Sequence, residues 1–166
     1  MRAALALLLA FTLVPSSLAY QNEPDGFRGI KWGADAADFA DELVLATEER
    51  STAMYTRRAD KLAIGDAELT DIRYFFYKGK FHSVTLTARG NANRRALLNV
   101  LRVQFGQGIQ PNRYIERHIW SGPVTLISFS CKTTDEDCTL FMTSTESIRQ
   151  KSLDQKQAGE KAKSDF

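Results

Sequence analysis

A predicted β-hairpin over residues 72–88 constrains the fold of this chain more than any other segment. Two runs rich in aromatic and β-branched residues flank a turn at 78–80, which is the pattern of a hairpin. A two-residue loop mixes polar and apolar side chains on each face, whereas a three-residue loop places the aliphatic set on one face. We therefore predict the three-residue loop, which pairs Ile72 with Leu86, Tyr74 with Val84, and Phe76 with His82.

The same register predicts an aromatic patch on the other face of the hairpin. The patch is formed by one cation and three aromatic residues: Arg73, Phe75, Tyr77 and Phe81. Arginine and aromatic residues are enriched at protein interfaces, so an uncovered patch of this kind is a candidate binding surface. The alternative is a second core, in which the C-terminal tail or a strand at 50–58 covers these side chains.

The chain has two cysteines, Cys131 and Cys138. Pairing them fixes the register of a last hairpin and aligns its apolar side chains on one face. The cross-strand pairs are then Phe129 with Leu140, Ile127 with Met142, and Thr125 with Ser144. A redox-active pair is the alternative, but the C-x6-C spacing differs from the C-x-x-C motif of such pairs. We therefore predict a structural disulfide.

Two segments space their apolar residues as amphipathic helices do, 35–45 and 93–105, and Gly106 provides a stop for the second. Each segment precedes a hairpin, at 69–88 and at 124–145. This order predicts an α+β fold with an antiparallel sheet of about six or seven strands and two helices on one face. It also raises the possibility of a tandem helix-plus-β-hairpin repeat.

Residues 1–19 have the three parts of a secretory signal peptide. A single basic residue precedes an apolar run at 3–14, and Ser17 and Ala19 occupy the small-residue positions of a cleavage site. The apolar run is shorter than the roughly 20 residues of a transmembrane anchor. We therefore predict cleavage before Tyr20, a periplasmic location, and no integral membrane segment after cleavage.

The predicted exported chain has three parts. A flexible lead-in at 20–26 is followed by a single α+β domain at 27–145. The remainder, 146–166, is a charged, partly helical or disordered tail. The whole chain carries 22 Lys and Arg residues against 20 Asp and Glu, interspersed along its length. This balance, together with export, argues against a nucleic-acid partner.

The sequence motifs indicate no catalytic residue, metal site or cofactor. The sequence contains no G-x-S-x-G, H-E-x-x-H or P-loop motif. We expect His82 to be hydrogen-bonded and partly buried on the aliphatic face of its strand, and nothing in the sequence places His118 beside a nucleophile. The carboxylates at 135–137 lack the length and glycine of an EF-hand loop, so we interpret them as an acidic turn.

Several motifs resemble those of a group of small exported proteins of Gram-negative bacteria. They are F-x-G-I-x-W-G at 27–33, Tyr55-Thr56-Arg57, Ile64-Gly65-Asp66, I-x-Y-x-F-Y-x-G at 72–79, and Trp120-x-Gly122. The resemblance spans about 27–145 and implies a periplasmic location, with no activity known for the group. In plan alone, the chain is also similar to exported inhibitors of the β-lactamase-inhibitor type.

The sequence therefore leads to two functional hypotheses. The first is a non-enzymatic periplasmic module that binds a protein or envelope partner through the exposed aromatic sheet face. The alternative is an envelope hydrolase with carboxylate or His118 acid/base chemistry. An enzyme needs a pocket in which ionisable groups converge, whereas a binding module needs an accessible aromatic surface.

Overall fold

The computed structural model describes residues 20–132 and 137–163, which form an α+β fold around a seven-stranded antiparallel sheet. The elements in chain order are β1 (Gly26–Phe27), β2 (Ile30–Lys31), a 3-10 helix (Ala36–Phe39), β3 (Leu43–Glu49), β4 (Thr52–Arg57), β5 (Ala63–Ile64), β6 (Ala67–Glu68), β7 (Asp71–Tyr77), β8 (Lys80–Arg89), α1 (Asn91–Phe105), β9 (Arg117–Ser121), β10 (Thr125–Cys131), β11 (Asp137–Ser144) and α2 (Thr145–Lys163). The strand order in the main sheet is β3-β4-β7-β8-β11-β10-β9. Strands β1 and β2 form a separate two-stranded ribbon, and so do β5 and β6.

The β7–β8 hairpin confirms part of the predicted register. Ile72 pairs with Leu86 and Tyr74 pairs with Val84, as expected. The loop, however, consists of two residues, Lys78 and Gly79, with φ values of 50° and 78°. Two successive positive φ angles are typical of the primed turns that match the twist of a hairpin.

A β-bulge reconciles this short loop with the aliphatic face. Phe75 pairs with Ser83 and Phe76 pairs with Phe81, so His82 is the extra residue of β8. The predicted pairing of Phe76 with His82 is therefore wrong. The bulge turns Phe81 into the core, where it is 0% exposed, and turns His82 to the opposite face.

The C-terminal half agrees with the sequence patterns more closely. Cys131 and Cys138 form a disulfide, and the β10–β11 register matches all three predicted cross-strand pairs. Helix α1 buries the four apolar residues that predicted it and ends before Gly106. These residues are Leu97, Leu98, Leu101 and Phe105.

The predicted helix at 35–45 is wrong. Only Ala36–Phe39 is helical, as one 3-10 segment, and Leu43 begins strand β3. An α-helix and the observed 3-10 segment followed by a strand both place Phe39 and Leu43 against the core. The spacing of these two residues therefore does not distinguish the two structures. Pairing with β4 supplies backbone hydrogen bonds from Leu43 to Glu49, whereas a short isolated helix is marginal. Residues 20–89 therefore lack the α-helix that a tandem repeat requires.

The two faces of the main sheet carry different side chains, and we call them the inner and outer faces. The inner face carries the apolar core, which includes Ile72, Tyr74, Phe76, Phe81, Val84, Leu86, Ile127, Phe129, Leu140 and Met142. Helix α1 packs its four apolar residues into this core. Helix α2 instead contacts Tyr77 and His82 on the outer face. The two α-helices of the fold therefore lie on opposite faces of the sheet.

The two edges of the sheet also differ. At the β3 edge, the six residues from Val44 to Glu49 are exposed, and a bulge interrupts the register between Leu45 and Thr47. At the other edge, Ile119 of β9 exchanges two backbone hydrogen bonds of 2.8 and 2.9 Å with Ile109. The connector between α1 and β9 thus covers part of that edge.

Candidate functional site

An open groove on the outer face is the candidate site. Its floor comes from neighbouring strands, where Met54 of β4 lies directly opposite Phe75 of β7, and Thr52 lies opposite Tyr77. The volume of the groove is about 850 Å³. Its full lining is Thr47, Glu49, Arg50, Ser51, Thr52, Met54, Phe75, Tyr77 and Gln155. The floor is apolar and aromatic, and the rim offers hydroxyl, amide and charged groups.

The β3–β4 hairpin forms one side of the groove, and α2 forms the other through Gln155. Strand geometry explains why these side chains share one face, because Thr47 pairs with Met54 and Met54 pairs with Phe75. Directly opposed residues in antiparallel strands project on the same side of the sheet. A single row of side chains thus runs from the edge strand to the centre of the sheet.

Helix α2 is held on the outer face by a polar cluster of five residues: Tyr77, Lys78, His82, Lys151 and Asp154. The Tyr77 hydroxyl donates a 2.7 Å hydrogen bond to Asp154 Oδ2, and Lys78 Nζ lies 2.6 Å from the same oxygen. Lys151 Nζ lies 4.8 Å from the centroid of the Tyr77 ring, within the range of a cation–π contact. The Lys78 ammonium and the Tyr77 hydroxyl lower the pKa of Asp154 to about 2.

His82 joins the polar cluster through Lys151, whose Nζ lies 3.0 Å from His82 Nε2. An ammonium group only donates hydrogen bonds, so His82 Nε2 must accept and the imidazole must be neutral. Burial, followed by the nearby Lys151 charge, lowers the pKa of His82 to about 4. Protonation of His82 would place a second positive charge against Lys151.

Apart from these contacts, α2 packs loosely. No described residue of α2 is buried, although Ile148 approaches the sheet. A smaller cavity of about 330 Å³ lies between the helix and the sheet, where Leu126 and Phe141 line it. The helix therefore lies over β8, β11 and β10 and over the Tyr77 end of β7, and leaves the outer face open over the rest of β7, β4 and β3.

The structure brings together some of the predicted binding residues and separates others. Phe75 and Tyr77 are half-buried and share the groove. Arg73 is exposed and forms an ion pair with Asp71 of the same strand, outside the groove. Phe81 lies on the inner face, where its ring stacks on Trp32 with centroids 4.8 Å apart. The prediction that Phe81 belongs to the outer patch is wrong, because the bulge reverses its direction.

Several residues of the site were not identified from sequence. Met54 and Thr52 lie in the weak strand predicted at 50–58, and their alternation with buried Ala53 is the signal that could have located them. Lys151 and Asp154 are three residues apart in the tail and hence lie on one side of a helix. Their contact with Tyr77 has no local signal, since 77 positions separate Tyr77 from Asp154.

His118 lies away from the groove, in the core. It is 2% exposed and lies beside the rings of Trp120 and Phe129. Burial, followed by the charge of Arg102, lowers the pKa of His118. Of the acidic run at 135–137, Asp137 forms an ion pair with Arg89 at 2.6 Å, whereas Asp135 and Glu136 lie outside the described residues.

Within 20–132 and 137–163, no group of three or more His, Cys, Asp or Glu side chains is placed to hold a metal ion. In the same residues, no helix has the length and apolar character needed to cross a bilayer.

No known protein family, curated protein or solved structure matches the chain. The motif residues nevertheless have definite places in this fold. Phe27 packs on Tyr74, Tyr55 packs on Phe76, and Trp32 donates a 2.7 Å hydrogen bond to Thr125 Oγ1. These residues build the core and its margin, which suits motifs that specify a fold.

Proposed function

We propose that this protein is a periplasmic, non-enzymatic binding module that takes a protein or envelope partner into the outer-face groove. The observation that carries this proposal is the open half of the outer face. There an aromatic and thioether floor lies accessible beside α2. The proposed location rests on the signal-peptide pattern of residues 1–19 and on the disulfide, since disulfides persist in oxidising compartments.

The chemistry of the groove is that of a recognition surface. Phe75 and Met54 supply apolar contact area, which contributes most of the affinity at an interface when a partner covers it. Glu49 and Arg50 provide opposite charges near the β3–β4 turn, and the Ser51 and Thr52 hydroxyls can donate or accept hydrogen bonds. Such polar groups orient a partner over the apolar floor.

In the alternative hypothesis, a hydrolase uses His118 as an acid or base. His118, however, is enclosed in the core. The other histidine, His82, is engaged with Lys151 under α2. Neither imidazole lines the groove. The geometry therefore supports binding better than acid/base chemistry at a histidine.

Site-specific photo-crosslinking in intact cells tests the proposal. A photo-reactive amino acid at Thr52 lies in the groove, and one at Leu62, which is 48% exposed and outside the groove, serves as the matched control. We expect a defined crosslinked partner from position 52 and none from position 62. Crosslinks of equal yield from both positions would refute the groove as the binding site.

The affinity of the partner captured in this way is then measured for Phe75→Ser and for Leu62→Ser. An anchoring aromatic residue contributes about 2 kcal/mol or more, so Phe75→Ser should weaken binding about 30-fold. Leu62→Ser should leave the affinity unchanged. Equal affinities of Phe75→Ser and the unmodified protein, with both folded, would overturn the proposal.

A further inference from the structure

The cavity between α2 and the sheet has an apolar wall and a polar end. Its volume of about 330 Å³ is at the lower end of the range of small-molecule sites. The apolar wall consists of Leu126 of β10, Phe141 of β11 and Ile148 of α2. None of these three side chains is buried. The helix and the sheet therefore leave apolar surface between them that a small ligand can cover.

The polar end of the cavity is formed by five residues: His82, Thr143, Lys151, Ser152 and Gln155. The Thr143 hydroxyl donates a 3.1 Å hydrogen bond to the His82 carbonyl, so it cannot also donate to a ligand. The His82 ring accepts from Lys151 and is neutral. The donors that face the cavity therefore come from α2: the Lys151 ammonium, the Ser152 hydroxyl and the Gln155 amide.

The ammonium group of Lys151 retains a donor that the fold does not use. A lysine ammonium has three N–H groups. One contact of Lys151 Nζ is with His82 Nε2 at 3.0 Å, and another is with the Tyr77 ring, whose centroid lies 4.8 Å away. Within 20–132 and 137–163, no carboxylate forms an ion pair with Lys151. The third N–H group is therefore available to an anionic ligand.

The neighbouring carboxylates of α2 do not neutralise Lys151. Asp154, three residues further along the helix, pairs with Lys78 at 2.6 Å, so the charges of these two groups balance each other. Glu146 pairs with Arg149 of the same helix. Burial lowers the pKa of Lys151, which is the direction expected for an ammonium group that loses water without gaining an anion. The positive charge of Lys151 therefore has no counterpart among the described residues.

We propose that this cavity binds a small amphiphilic carboxylate, with the carboxylate at Lys151 and a short alkyl chain along the apolar wall. The free N–H group of the ammonium donates to one carboxylate oxygen, and the Ser152 hydroxyl provides a donor for the other. His82 orients the ammonium by accepting one of its N–H groups. The proposal goes beyond the outer-face groove, because it assigns a small-molecule ligand to a separate cavity, although Gln155 lines both.

The lining of the cavity favours this class of ligand over others. Among the described residues that line it, Lys151 alone carries a charge, because His82 is neutral. A phosphate group carries almost two negative charges and would keep part of them uncompensated. An uncharged ligand would cover the apolar wall but would desolvate the ammonium without pairing it. A single carboxylate matches the single ammonium, and its alkyl chain adds affinity in proportion to the apolar area that it buries.

Isothermal titration calorimetry with octanoate tests the proposal. The protein in its predicted exported form, which begins at Tyr20, is titrated at neutral pH with octanoate, 1-octanol or acetate. Octanoate should bind at least about tenfold more tightly than 1-octanol, because a hydrogen bond between two charged groups contributes about that factor. Acetate lacks the alkyl chain and should show no binding. Equal affinities for octanoate and 1-octanol, or no binding of octanoate at millimolar concentration, would overturn the proposal.

Lys151→Met tests the charged contact, because methionine keeps an unbranched apolar side chain and removes the ammonium. This variant should weaken octanoate binding at least about tenfold and leave 1-octanol binding nearly unchanged. Lys156→Met removes an exposed lysine of the same helix outside the cavity and should leave both affinities unchanged. Equal octanoate affinities of the two variants would refute the role of Lys151. Circular dichroism of both variants reports whether α2 keeps its helical content.

Leu126→Trp tests the cavity itself and keeps Lys151 in place. The larger ring occupies the space beside Phe141 and should weaken octanoate binding at least about tenfold, since the alkyl chain loses its apolar contacts. Leu153→Trp, at a position of α2 that is 41% exposed and outside the cavity, is the matched control and should bind octanoate normally. Undiminished octanoate affinity in Leu126→Trp would refute the cavity as the site, whatever the helical content of Lys151→Met.

Amide NMR spectra distinguish this cavity from the outer-face groove. Octanoate should shift the amide signals of Phe141 and Ser152, which line the cavity, and leave those of Arg50 and Thr52 in the groove unchanged. Larger shifts at the groove residues than at the cavity residues would overturn the assignment. Because this readout needs no partner protein, failure of the groove proposal leaves the result unaffected.

Discussion

The inner and outer faces of the sheet are formed by the same strands but are covered in different ways. On the inner face, Tyr74, Phe81 and their neighbours are almost fully buried, and α1 adds four apolar residues to the same core. On the outer face, no residue of α2 is itself buried and the helix is held mainly by the polar cluster, while Phe75 stays half-buried. The comparison shows that one face provides most of the packing and leaves part of the other open to solvent.

The largest expected difference comes from two phenylalanines of one hairpin. Phe81→Ser removes a fully buried ring and should lower the free energy of unfolding by about 3–5 kcal/mol, as large-to-small changes in cores do. Phe75→Ser removes a half-buried ring and should lower the free energy of unfolding by about 1 kcal/mol. Urea denaturation of both variants measures this difference. Equal losses would mean that the outer face is packed as a second core.

Removal of the disulfide should have the next largest effect. Cys138 lies on the inner face and is 1% exposed, so Cys131→Ala/Cys138→Ala avoids burying a hydroxyl group there. Removing the disulfide that closes this short loop should lower the free energy of unfolding by about 2–3 kcal/mol, because the unfolded chain gains conformational entropy. Guanidinium denaturation measures the loss. Partner binding at the outer groove serves as the control, since an altered affinity would show that the two faces are coupled.

Acidification should weaken the contact between α2 and the outer face. His82 has a pKa of about 4 in the folded protein and 6.5 when exposed, so the open or unfolded state takes up the proton first. Stability should therefore fall as pH drops from about 6.5 towards 4, by at most about 1.4 kcal/mol per pH unit. Below pH 4 this contribution stops changing.

His82→Gln isolates the contribution of this imidazole, because glutamine does not titrate. Burial also lowers the pKa of His118, so the variant should keep part of the pH dependence and lose the rest. Denaturation midpoints between pH 4 and pH 7 measure the difference. An unchanged slope in His82→Gln would contradict the neutral-imidazole contact with Lys151.

The smallest effect is expected for the carboxylate of the polar cluster. Asp154→Asn keeps the size of the side chain but removes the charge that pairs with Lys78. We expect faster amide hydrogen exchange in residues 147–155 and a nearly unchanged melting temperature, because α2 contributes little to the core. Glu160→Gln, on the exposed end of α2, is the control. Equal exchange in both variants would show that Asp154 does not hold the helix.

The sequence predicts the fold class and the parts of the fold that depend on local patterns. The α1 helix and the β10–β11 register follow from apolar spacing and from the two cysteines, and both are confirmed. The segment at 35–45 was misassigned because Phe39 and Leu43 reach the core equally well from a helix or from a 3-10 turn followed by a strand. Strand pairing with β4, a non-local interaction, decides between them.

The candidate site was predicted only in part, because two features of it have no local signal. Assigning alternate residues of β8 to alternate faces requires each residue to face one residue of β7. The bulge at His82 inserts an extra residue, so Phe81 and His82 each project from the face opposite to the predicted one. The position of α2 depends on contacts such as that of Tyr77 with Asp154, which join distant parts of the chain. The groove beside α2 therefore emerges only in the folded molecule.

The exposed edge strand β3 bears on the solubility of the protein at high concentration. Unpaired backbone groups beside Val44 and Leu45 would, on a flat edge, recruit further copies and promote fibril growth. The bulge between Leu45 and Thr47 breaks the regular spacing that such growth needs. Glu48 and Glu49 would also lie against the same carboxylates of an in-register copy, and like charges oppose stacking. The edge is thus protected against edge-to-edge aggregation without being covered.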